Sequence, residues 1–213
     1  APATILVSKI LLPETENLDT KLEMSKERPG ENILDSISVG TTDGVVLAVN
    51  VAAMLLVFTA LMAMMNWLIG SFGDLSGLSA SLAEYTGGRP LSLQVIFGWL
   101  FSPIAWLIGV DNWNDMKLVG QLMGEKTILN EFYAYTSLGK MKDAGLFLNE
   151  KSSLLATYAL CGFANFASIG IQIGGISAMA PKQRTHLTQL GPLALVGGTI
   201  CTFMTATIAG MIL

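Results

Sequence analysis

Four stretches of this chain contain no charged side chain: residues 45–73, 90–110, 152–181 and 187–213, which are 29, 21, 30 and 27 residues long. A helix needs about 20 apolar residues to cross a bilayer. The three longest runs are therefore long enough to cross with some tilt. Composition points the same way. Charged residues make up 13% of the 213, about half the share found in a soluble domain. A hydrophobic share of 52% argues against disorder. Twelve basic against 16 acidic residues, net charge -4, leave no basic face for nucleic acid. The fold class expected is an all-α membrane protein.

The first run is the strongest span, with Trp67 near its end as an interfacial anchor. The 90–110 run is interrupted by Pro103 and carries Trp99 and Trp106. It reads as an interfacial or kinked helix, with a full span as the alternative. The last run holds Ala206 and Gly210, a small-xxx-small spacing that lets helices approach closely. The chain opens on Ala, with no basic leader or cleavage site, and residues 1–12 look like the end of a hydrophobic element. The expectation is the C-terminal part of a longer membrane protein. Lys182 and Arg184 form a basic turn between the last two runs, which places that turn on the cytoplasmic side.

Between the runs, residues 13–43 read as a solvated acidic loop with room for a short helix. Residues 111–151 are too polar for a span and too apolar for a loop. Two half-length stretches, 116–123 and 127–138, flank Gly124-Glu125-Lys126, a pattern that suits a re-entrant hairpin turning at that tripeptide.

Polar groups at membrane depth mark function by default. Asn50 in the first run reads as helix–helix glue or as a ligand group. The segment 124–135, GEKTILNEFYAY, sets Lys126 one turn from Asn130 and Thr127 one turn from Glu131. It is either a solvent-facing helix or part of a buried site. In 161–175, CGFANFASIGIQIGG, Asn165, Ser168 and Gln172 recur along one helical stripe among glycines. That is either a discontinuous helix of the transporter kind or a tightly packed Gly-rich one. Cys161 and Cys201 lie in apolar runs and read as small buried hydrophobes. The single histidine, His186, cannot hold a metal cluster alone, and it reads as a membrane-surface residue, with a Ser–His pair as the alternative. No Gly-rich phosphate motif is present. The chain does not read as an enzyme, and no cofactor or metal site is expected in it.

The pattern Gly124-x-Lys126-x3-Asn130-Glu131-Phe132-x-Ala134-Tyr135 resembles the signature of the concentrative nucleoside transporters. The 161–175 segment, followed by Ala180-Pro181-Lys182 and a Gly-rich last helix, is similar to that family's C-terminal region, as is the PETE of residues 13–16 ahead of NVAAML. Tyr133 departs from the valine usual there. The resemblance covers essentially the whole chain. It implies half of an inverted-repeat transporter: residues 1–12 the end of a helix, 45–70 transmembrane, 91–108 interfacial, 113–140 a re-entrant hairpin, 152–179 a broken transmembrane helix and 188–213 transmembrane. It implies that Glu131, Asn165 and Ser168 bind ribose hydroxyls and that Phe163 lies beside the nucleoside. The coupling ion, Na+ or H+, would bind upstream in a missing N-terminal half. The whole protein would be a multi-pass, plasma (inner) membrane homotrimer importing a uridine-like nucleoside by cation-coupled alternating access. The alternative is a non-transporting structural or regulatory membrane subunit.

Overall fold

The computed structural model describes residues 2–15, 31–86 and 90–213. Among the described residues there are nine α-helices and one 3-10 turn, and no strand. Six of these helices begin at an Asn or Ser whose side-chain oxygen accepts a backbone N–H of the first turn.

The short apolar helix α1 (Pro2–Leu11) comes first. Much of the loop expected over 13–43 falls on residues 16–30, which lie outside the described residues. Its last part is helical, because α2 (Ile33–Leu75) starts at Asn32, whose side-chain oxygen accepts the Asp35 N–H at 3.0 Å. With 43 residues, α2 begins well ahead of the charge-free run. At about 1.5 Å per residue it is roughly 60 Å long, about twice the thickness of the hydrocarbon core. After a turn at Gly77, whose φ of 72° suits glycine, comes α3 (Leu78–Thr86). The next helix, α4 (Leu93–Leu107), is capped by Ser92. It runs through Pro103, where the sequence suggests a break. Proline's fixed φ is helical, and only the carbonyl four residues back, that of Trp99, loses its donor.

The chain then enters α5 (Trp113–Ile128) and α6 (Glu131–Asp143). The turn between them is at Leu129 and Asn130, not at Gly124-Glu125-Lys126, which is helical. α6 lies back along α5: Val119 of α5 shares a core with Leu138 and Met141 of α6. Asp115 closes the base, accepting the Leu148 and Asn149 N–H groups at 3.0 Å each.

Last come α7 (Glu150–Leu160), α8 (Phe166–Met179), a 3-10 turn (Pro181–Gln183) and α9 (Arg184–Ile212). α7 and α8 form one interrupted rod running against α9. Leu155 packs at Gly210, Gly162 at Thr202, Ala164 at Gly198 and Ile169 at Gly191. Numbers rise on one side as they fall on the other, the mark of an antiparallel pair. Ala206 is fully buried and Gly210 lies against the Ile108 carbonyl, the close approach that their spacing suggests. Gly170 and Gly174 bring the other side of α8 against Phe58, Met54 and Asn50 of α2.

The α4–α5 pair is held at backbone distance. A Cβ on Gly124 would lie 2.6 Å from the Gln94 carbonyl oxygen and 2.8 Å from the Gly98 nitrogen. Gly120 and Gly124 thus form a second small-xxx-small seam. The core gathers Phe101, Ala105, Val119, Leu122, Met123, Leu155, Leu160 and Ala206. Most of α2 outside its α8 contact is apolar and exposed, Leu56, Met64 and Trp67 included. Such a face suits lipid or another membrane segment.

Candidate functional site

The site arises where two helices begin. A helix N-terminus leaves N–H groups without partners, and an Asn at the cap answers one of them. At the first break, Asn130 Oδ1 accepts the Tyr133 N–H at 2.8 Å. Glu131 is then the first residue of α6, where a carboxylate is favoured by the helix dipole. At the second break, Asn165 Oδ1 accepts the Ser168 N–H at 2.7 Å, and Ser168 Oγ accepts the Asn165 N–H at 3.2 Å. This is a reciprocal capping box. The Asn165–Ser168 spacing, which the sequence offers as a polar stripe along a helix, is in fact the start of one.

The two N-termini face each other. Asn165 Nδ2 donates to Glu131 Oε2 at 3.1 Å, across 34 positions of sequence. Glu131, Asn165 and Ser168 therefore form one hydrogen-bonded chain. Asn165 and Ser168 are buried and Glu131 is half-buried. Phe163 stands apart from that chain, 58% exposed. It lines a cavity of about 560 Å³ with Ser168, Gln172 and Thr202, on the α9 side. Ser168 is the member of the chain that the cavity reaches. Gln172 joins it only as a cavity-lining side chain.

Counting donors defines what the site can offer. The Ser168 hydroxyl donates to the Asn165 carbonyl at 2.6 Å and accepts the Asn165 N–H, which leaves it one lone pair. Asn165 uses one amide N–H on Glu131 and retains the other. Glu131, if ionised, accepts only, with lone pairs beyond the one that Asn165 occupies. The combination can receive hydroxyl donors on a carboxylate and answer a hydroxyl oxygen from an amide. A vicinal diol has this complement.

The sequence does not reveal what braces the site. Lys126 is not on the helix of Glu131, as the one-turn spacings suggest, but in the last turn of α5, 2% exposed. Its ammonium donates to the Ala159 carbonyl of α7 at 3.1 Å and to Thr202 Oγ1 of α9 at 3.3 Å. Tyr135 OH donates to the Thr157 carbonyl at 2.9 Å. These partners are 22 to 76 residues distant, and no local pattern announces them. Tyr133 lies half-exposed on α6 and faces a second cavity with Gln121, Glu125 and Lys140, away from Phe163. Gln121 Nε2 donates to Glu125 Oε1 at 2.6 Å there. Cys161 is exposed and lines the first cavity with Cys201, which is partly buried, so neither is the enclosed residue that its apolar run suggests.

Comparison with known proteins agrees with the resemblance. The family described as Na+ dependent nucleoside transporter C-terminus matches residues 1–210. An uncharacterized transporter of Haemophilus influenzae is 40% identical over 215 residues, 99% of this chain and 49% of its own. Human solute carrier family 28 member 3 is 35% identical, covering 100% of this chain and 31% of its own. Mouse sodium/nucleoside cotransporter 1 is 32% identical, covering 100% and 33%. Among solved structures, a doubly substituted CNTnw in an outward-facing state has a TM-score of 0.82 at 38% identity, over 99% of this chain and 48% of that one. CNTnw in an inward-facing substrate-bound state has 0.69 at 39% identity, over 99% and 48%. The chain spans about half the length of the bacterial relatives and about a third of the mammalian ones.

Proposed function

The chain belongs to the family of Na+-dependent nucleoside transporters, and from that premise we propose that it carries the ribose-binding half of a nucleoside site. Its family and relatives are transporters, not enzymes, and it is an integral membrane protein. One observation carries the site assignment: the meeting of the α6 and α8 N-termini at the Asn165–Glu131 hydrogen bond.

In this reading α5 and α6 are a re-entrant hairpin, and α7–α8 is a membrane-crossing helix broken near mid-depth. The paired breaks, with half-helix N-termini aimed at one point, support it as a device for holding solutes inside a membrane. Glu131 accepts two ribose hydroxyls at charge-assisted strength. The first of them displaces the Asn165 amide from Oε2. Asn165 then turns its N–H groups to a ribose oxygen, and Ser168 accepts through its remaining lone pair. Phe163 flanks the nucleoside from the cavity side. A sugar lacking a hydroxyl leaves the half-buried carboxylate under-bonded, which gives discrimination. The missing half of an inverted repeat supplies base contacts and the coupling ion, sodium being favoured by the family's description. A trimeric plasma-membrane assembly working by alternating access completes the proposal. A non-transporting subunit is not favoured by these relatives.

The test is uptake of labelled uridine by cells expressing the complete protein, in sodium and in choline. Saturable, sodium-dependent uptake that Glu131→Ala abolishes at equal surface expression is the expected result. Unchanged uptake in that variant would remove Glu131 from the site.

A further inference from the structure

An interrupted helix leaves a problem at its first half. α7 ends at Leu160, and the Cys161 N–H turns back to the Tyr158 carbonyl at 3.2 Å instead of reaching Thr157. The Thr157 carbonyl loses its helical donor, and the Ala159 carbonyl points on past the end of the helix. Ala159 is buried and Thr157 partly so, and carbonyls shielded from water without donors are costly. Both are answered from outside the rod: Tyr135 OH reaches Thr157 and Lys126 Nζ reaches Ala159. Lys126 stands three residues before the first break and Tyr135 five residues beyond it. A buried ammonium at the negative end of a helix is well placed, and Thr202 takes a further proton of it. Tyr135 and Lys126 thus bracket Glu131 in sequence while gripping the end of α7 in space.

We propose that Lys126 and Tyr135 are positioning residues for the solute site. By fixing where α7 stops, they fix where residues 161–165 begin, and with them Phe163 and the Asn165 amide. Thr202 completes the clamp: its methyl lies under Gly162, and its hydroxyl is tied to the Thr199 carbonyl at 2.8 Å. The clamp makes the spacing between the two breaks a property of three side chains rather than of the chain linking them. This rests on the reading of Glu131 and Asn165 as the solute site.

The complete transporter with Tyr135→Phe or Lys126→Met tests it. Uridine uptake is measured against concentration, normalised to surface protein. Backbone hydrogen exchange of residues 157–168 is measured on purified protein without solute. The expected result is a KM raised about threefold to tenfold in Tyr135→Phe and at least about tenfold in Lys126→Met, for one part-buried and two buried hydrogen bonds lost. Maximal velocity per surface molecule should change less than KM, and exchange should quicken at residues 161–165. Normal KM in both variants, or reduced surface protein with normal KM, would mean an ordinary fold contact and overturn the proposal. If Lys126→Met does not reach the membrane, Tyr135→Phe, which removes a single hydroxyl, decides by the same criteria. If the parent takes up no nucleoside, the functional reading fails. Exchange then judges the clamp alone, and unchanged exchange in Tyr135→Phe overturns it.

Discussion

The two breaks solve the same problem differently. Each stops one helix and starts another at an Asn cap, Asn130 or Asn165. At the first, the chain folds back. α5 ends with its own backbone, Leu129 N–H to Glu125 carbonyl at 2.8 Å, and Asn130 spends its side-chain oxygen on the cap. At the second, the rod continues along α9, and α7 ends on Lys126 and Tyr135, side chains of its neighbours. The first break is thus self-contained, while the second is held by the first. Only the second sends its cap residue across the gap, from Asn165 to Glu131. A cap that serves only its own helix is structural; one with an amide left over can serve a ligand as well.

The strongest test of this contrast is Glu131→Gln. It keeps the size, turns one acceptor oxygen into a donating amide and removes the charge on which a diol would be received. Uptake efficiency, measured as kcat/KM for uridine at matched surface expression, should fall at least about a hundredfold, by loss of charge-assisted bonds. A loss below about threefold would mean that the meeting of the two N-termini is packing, not a site.

Next is a matched pair, Asn130→Ser and Asn165→Ser. Serine caps a helix about as well as asparagine, so both variants retain their helix starts and lose only an amide. Asn130→Ser should leave uridine KM within about twofold, while Asn165→Ser should raise it at least about tenfold through the lost amide bonds. Equal effects would erase the distinction between a structural cap and a ligand-facing one.

The same contrast explains what was legible in the sequence. The helices within the charge-free runs were, because runs of 21 to 30 residues leave few alternatives, whereas α3 and the start of α2 lie outside those runs and were not. Membership of a family was, through the run from Gly124 to Tyr135. The first break was misplaced by five residues, because Gly124 looks like a turn. Its missing Cβ serves instead to bring α5 against Gln94 and Gly98 of α4. The better signal was an Asn followed by an acid, a cap with a charge in the first turn. The second break holds Gly162, but Gly170, Gly174 and Gly175 continue as helix, and the polar spacing was a capping box. The Gly120–Gly124 seam follows the same spacing rule as Ala206–Gly210 and could have been seen. The clamp on α7 could not, because Lys126 and Thr202 are 76 positions apart.

Two glycines sharpen the comparison through stability. Gly124→Ala places a methyl against backbone atoms at 2.6 and 2.8 Å, which cannot move without separating α4 from α5. Gly162→Ala meets the methyl of one side chain, Thr202, which can turn aside only by giving up its hydroxyl's bonds to the Thr199 carbonyl and Lys126. Overpacking costs about 1–3 kcal/mol, and Gly124→Ala should lie at the upper end of that range. The melting temperature of the purified complete protein in detergent should fall further for Gly124→Ala than for Gly162→Ala. The reverse order would make the second break the tighter of the two.

The smallest effect concerns what ties the broken elements together at their base. Asp115 opens α5, and its carboxylate accepts the N–H groups of Leu148 and Asn149, in the linker that leads from α6 into α7. Charged side chains cluster at this level, Asp111, Lys142, Asp143 and Glu150 among them, so it lies outside the membrane-spanning segments. Burial pushes the carboxyl up, but the Leu148 and Asn149 N–H groups, with the Ser152 and Asn112 side chains, outweigh it and hold it below the ordinary 3.8. A carboxylate with a lowered folded-state pKa stabilises the fold above its unfolded pKa and loses that contribution as pH falls through the folded one. Stability from this group should therefore be flat from pH 8 to about 5 and decline only below about 4. Melting of the parent and of Asp115→Asn should differ by a constant amount over the neutral range and converge in acid. Convergence already near pH 6 would mean that another group holds the linker, and the two breaks would then share only the contacts at their tips.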